Sequence, residues 1–124
     1  MYSIFQNQLS LFSIAVIATI VVVRISLFLA PRLNVYIGKY NVHHLYTGAV
    51  LLVLDTVLLI AGAINAYTVV LAGVAVALIL DELGYLVTTS GADKAYFARK
   101  SYTQMCISVA TTLVFTLGVS TLVR

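Results

Sequence analysis

The chain contains one proline, one cysteine, no tryptophan and only four acidic residues among its 124. The lone proline, Pro31, falls between two long apolar runs. No run therefore carries the internal break that marks substrate sites in many transporters. The lone cysteine, Cys106, excludes an internal disulfide and any thiol-pair redox chemistry. It reads as a small apolar residue within the last apolar run. Charged residues make up 9% of the chain, against about 25% for a soluble domain. Serine-nucleophile, phosphate-loop, dinucleotide and nucleic-acid signatures are all missing.

What remains is apolar. Hydrophobic residues account for 62% of the chain, and its mean hydropathy is +1.09. Four runs, about Leu9–Leu29, Leu45–Ala63, Tyr67–Val87 and Tyr102–Val123, each approach the ~20 residues a helix needs to cross a bilayer. The composition thus points to an all-α integral membrane four-helix bundle, a single domain over residues 1–124, with antiparallel up-down topology and short loops. The first run has no basic residue ahead of it and is too long for a signal-peptide core, so it reads as a retained membrane helix.

The net charge of +3 is unevenly distributed. Arg32 and Lys39 lie in the first connection and Lys94, Arg99 and Lys100 in the third, whereas the opposite side carries only Arg124. That bias sends the first and third connections to the cytoplasm and both termini outside, as in a multi-pass protein of the cell membrane. The basic excess then serves topology and contact with membrane lipid, and nucleic acid is not an expected partner.

Tyrosine placement agrees with this arrangement, because the amphipathic ring favours the headgroup level. Tyr36, Tyr40, Tyr46, Tyr85, Tyr96 and Tyr102 fall at the expected inner boundary, and Tyr2 and Tyr67 at the outer one. Asn34 to Asn41 reads as an irregular interfacial loop, Gly62-Ala63-Ile64-Asn65-Ala66 as a short outer turn that makes helices two and three antiparallel neighbours, and Asp93 as the N-cap of a short amphipathic stretch. Gly48 and Gly62 on the second helix, and Gly73, Ala77 and Gly84 on the third, mark positions where backbones approach closely. Gln104, Ser108, Thr111 and Thr112 form a mildly polar stripe expected to face the bundle.

Ionisable residues inside membrane segments are rare and point to function by default. His43 and His44 open the second run, and Asp81 and Glu82 close the third; in a membrane hairpin these ends share one depth. Arg24 lies at a matching level, near the end of the first run. Asp55 shares a helix face with His44 but lies about 16 Å deeper. Arg24 contributes +1 and Asp55, Asp81 and Glu82 contribute −1 each, a net of −2 that one divalent cation would neutralise. Imidazole with carboxylate suits Zn, Fe or Mn, making His43, His44, Asp81 and Glu82 candidate metal ligands. An Arg24–Asp81 ion pair with a neutral Asp55 satisfies the same physics.

His43-His44-Leu45-Tyr46-Thr47-Gly48, followed across a hairpin by Leu80-Asp81-Glu82-Leu83-Gly84, resembles a pattern of small uncharacterised prokaryotic multi-pass membrane proteins. These share an HHxxxG helix start and an LDE helix end. The resemblance covers roughly residues 40–86. It implies that the His and Asp/Glu motifs belong together, and it implies no catalytic residue.

Three functions fit the residues. One is a cytoplasm-side polar site that binds a divalent metal, whose bound water would be the reacting group in any chemistry. The second is a structural or accessory subunit of a larger membrane complex. The third is proton or cation transport through a homo-oligomer, using Asp55.

Overall fold

The computed structural model describes residues 2–30, 35–37, 40–42, 44–88 and 98–122, with side chains described for 7–30, 44–87 and 98–122. Four helices dominate it: α1 (Tyr2–Leu29), α2 (His44–Ile60), α3 (Ala66–Thr88) and α4 (Arg99–Leu122). Between α1 and α2, strands β1 (Val35–Ile37) and β2 (Tyr40–Val42) pair antiparallel, with Tyr36 opposite Asn41. This two-stranded ribbon replaces the irregular loop expected there. The β-branched and aromatic residues Val35, Tyr36, Ile37, Tyr40 and Val42 favour the extended backbone.

Three helices, through Asn7–Leu29, Ala66–Val87 and Arg99–Leu122, are long and apolar enough to cross a membrane. The second does not reach that length. It has 17 residues, about 25 Å of helix, and stops at Ile60 where the hydropathy pattern continues to Ala63. Gly62 is the reason. It adopts φ +82°, a left-handed conformation that only glycine takes without strain. The Gly62 N–H donates to Leu59 O and the Ala63 N–H to Leu58 O, which closes the helix end in a Schellman motif. Gly62 therefore belongs to the turn and not to the second helix. The next helix starts on Asn65, whose Oδ1 accepts from the N–H of Tyr67 at 2.8 Å and of Thr68 at 3.3 Å. The Thr68 hydroxyl answers by accepting from the Asn65 N–H at 3.1 Å. This reciprocal cap fixes both ends of a very short connection.

Helix α3 is the hub, packing against α1, α2 and α4. One glycine lies in each of the three seams. A Cβ on Gly48 would stand 2.8 Å from Ala75 O; on Gly73, 2.7 Å from Ala15 Cβ; on Gly84, 3.0 Å from the Met105 backbone nitrogen. In lipid, apolar burial between helices gives little driving force, so such close approach is what lets dispersion contacts hold a bundle together. The core lies where α1, α3 and α4 meet: Val16, Ile20, Ala77 and Met105 form one cluster, with Phe12, Val76 and Val109 against it.

The polar stripe expected on the fourth helix is only partly inward. Ser101, Met105 and Thr116 are its buried residues, while Thr111 is exposed. Tyr85, near the end of α3, faces into the bundle. It is 2% exposed and packs with Leu27 and Val23, whereas Tyr46 and Tyr67 are exposed.

Candidate functional site: a buried polar layer across three helices

Toward the end of α1, Arg24 turns inward and is almost wholly buried. Its Nε–H donates to Asp81 Oδ1 of α3 at 2.5 Å. Asp81 is 1% exposed, so this is a charge-assisted hydrogen bond in a dry setting. The third member comes from α4: the Tyr102 ring centroid lies 4.6 Å from the Arg24 guanidinium carbon, inside the range of a cation–π contact. Gly84 makes that possible, because it is one turn of α3 beyond Asp81 and lets the α4 backbone approach at Met105, one turn from Tyr102.

Glu82 is also buried, 3% exposed, and points about 100° around α3 from Asp81. The Gly48 contacts show which way. Gly48 meets Leu78 and Ile79; one turn beyond those residues on α3 is Glu82, and one turn before Gly48 on α2 is the half-buried His44. Asp81 therefore serves the α1 seam and Glu82 shares a level with His44. Of the four candidate metal ligands, Asp81 is engaged by Arg24, and His43 lies outside the described residues. Among the described residues no group of three or more His, Cys, Asp or Glu side chains stands close enough to hold a metal ion.

The sixth ionisable candidate is remote. Asp55 is 1% exposed in the middle of α2, and its Oδ1 has no hydrogen-bond partner among the described residues. Ser101, which sequence reasoning did not single out, is fully buried at the start of α4, and its Oγ likewise has none. Its only advance signal is its spacing of four from Met105, on the face that meets α3. Residues 89–97, with Asp93 and Lys94, lie outside the described residues.

At the other end of the molecule, α1 and α4 separate around a cleft of about 540 Å³ bordered by Ser10, Ser13, Thr116, Ser120 and Thr121. Four of the five hydroxyls turn back onto their own helices: Ser13 donates to Leu9 O, Thr116 to Thr112 O, Ser120 to Leu117 O and Thr121 to Gly118 O. Those four hydroxyls thus spend their donor hydrogens within their own helices.

Helices of membrane-spanning length, joined by a buried Arg–Asp pair, place the chain in the class of all-α membrane proteins. Beyond that class, no protein-family model, no curated protein and no solved structure matches it.

Proposed function

We propose that the protein is a multi-pass protein of the cell membrane that serves as a structural or accessory subunit of a larger membrane assembly. The observation that supports this most directly is the mutual engagement of Arg24 and Asp81 beneath Tyr102. Intramembrane charges paired in this way hold helices in register, and neither partner is presented to a substrate. The positive-inside bias puts this layer toward the cytoplasm and both termini outside. The exposed apolar side chains of α2 and α4, such as Val53, Val57, Val114 and Phe115, are then available to lipid and to partner helices. The test is cross-linking in intact native membranes followed by native electrophoresis. A discrete particle above monomer mass, with the same other subunits recovered each time, is the expected result. A chain that migrates only as a monomer would overturn the reading.

A second reading rests on Glu82, a buried carboxylate at the level of His44. We propose that a divalent metal (Zn, Fe or Mn) would bind there through His43, His44 and Glu82, with Asp81 held in the outer shell by Arg24. Elemental analysis of mildly purified protein, beside a His43→Ala/His44→Ala variant, decides it. Metal near one per chain that the variant loses supports the site; none in either sample after adding back the three metals sinks it.

A further inference from the structure

Asp55 takes no part in the Arg24–Asp81 layer. Gly48 and Asp55 are the buried residues of α2. They are seven positions apart, about 20° short of two full turns, and so share a face. Gly48 lies against α3, and α3 is the helix on which α2 packs. Asp55 is therefore enclosed in the α2–α3 seam.

Nothing described in that seam matches the carboxyl. From Ala66 to Leu80, α3 has no charged residue, and its one titratable group, Tyr67, is 88% exposed. The Thr68 hydroxyl is closed on Asn65, donating to its carbonyl at 2.9 Å. Thr56, beside Asp55, donates to Leu52 O. On α2 itself the titratable groups are His44 and Tyr46, each more than two turns away. A charge buried in apolar surroundings must be compensated. A metal ion requires several ligand atoms around it at once, and the seam supplies one carboxyl. A proton requires a single oxygen, and Asp55 supplies Oδ1, which has no partner among the described residues.

We infer that Asp55 is a proton-binding site in the α2–α3 seam, separate from the polar layer at Arg24. Five residues separate it from Ile60, about 7 Å along the helix, against about 16 Å back to His44. Its proton exchanges on the side of the Ala61–Asn65 turn, where the distance to water is shorter.

Infrared spectroscopy of the full chain in zwitterionic vesicles tests this. Wild-type protein should show the C=O band of a protonated carboxyl that is lost reversibly as pH rises, shifts in D2O and disappears entirely in Asp55→Asn. If Asp55→Asn does not fold, Asp55→Glu should move the band, and an unmoved band overturns the assignment. So does the absence of any Asp55-dependent band at every pH where the helices persist. A band bleached by Na+ at constant pH would also overturn it, replacing the proton by a metal cation. A band insensitive to D2O would refute exchange with water.

Discussion

Asp55 and Asp81 are buried to the same degree on adjacent helices, yet their surroundings are opposites. Asp81 stands where three helices meet and receives a cation from one and an aromatic face over that cation from another. Asp55 stands in the seam of α2 with α3, and neither helix brings it a donor among the described residues. The difference follows from the hub arrangement. A carboxylate on α3 can be reached by both α1 and α4, whereas among the described residues one on α2 packs mainly against α3, which is apolar along the facing stretch. Burial alone therefore says little about a membrane carboxyl; what decides its chemistry is how many helices can reach it.

Removing the cation should have the largest effect. Arg24→Leu leaves Asp81 buried without its guanidinium partner, and is expected to destabilise by about 3–5 kcal/mol, read as a lowered thermal transition in detergent. Arg24→Leu/Asp81→Leu should recover most of that loss; if the double variant is as unstable as the single, the pair is not what sets Asp81 apart. Gly84→Ala comes next, at about 1–3 kcal/mol from overpacking, because the new methyl would meet the Met105 backbone and push Tyr102 off Arg24. Gly118→Ala is its control: nothing lies within 4 Å of that Cβ, so helix propensity alone should raise stability by up to about 1 kcal/mol. Asp55→Leu should be neutral or stabilising by about 1 kcal/mol, since it removes a buried polar group that lacks a partner. A loss comparable to Arg24→Leu would reveal a counter-charge and dissolve the contrast. Tyr102→Leu should show the smallest effect, about 0.5–1 kcal/mol, in the same unfolding assay.

The number of helices and the level of the polar layer were legible in the sequence. Apolar runs count helices directly, and counting from each run's end put Arg24 and Asp81 at one depth. Helix rotation was not legible, because a helix that is apolar on nearly every side carries little periodic signal. Tyr85 shows the consequence. Its amphipathic ring suits the headgroup level, and only the packing reveals that it faces inward, one turn from Asp81, where Leu27 and Val23 cover it. The second helix ends before its apolar run does, for a different reason. Hydropathy does not register that Gly62 turns left-handed, so the apolar run continues to Ala63 even though Gly62–Ala66 reads as a turn. The small residues were better guides: Gly48, Gly73 and Gly84 each lie at a helix contact. The partition of Asp81 toward α1 and Glu82 toward α2 depends on that same rotation and became visible only with the packing.

The ion pair joins residues 57 positions apart in the chain, and this has a consequence for biogenesis. A ribosome delivers Arg24 well before its counter-ion, so the first helix enters the membrane with a cation whose eventual partner has not been made. It cannot reach its final position until the third helix arrives, and the ring that covers it comes later still with the fourth. Chains truncated before Asp81 should leave the inward face of the first helix open to lipid-borne photo-cross-linkers, and chains that extend through the fourth helix should shield it.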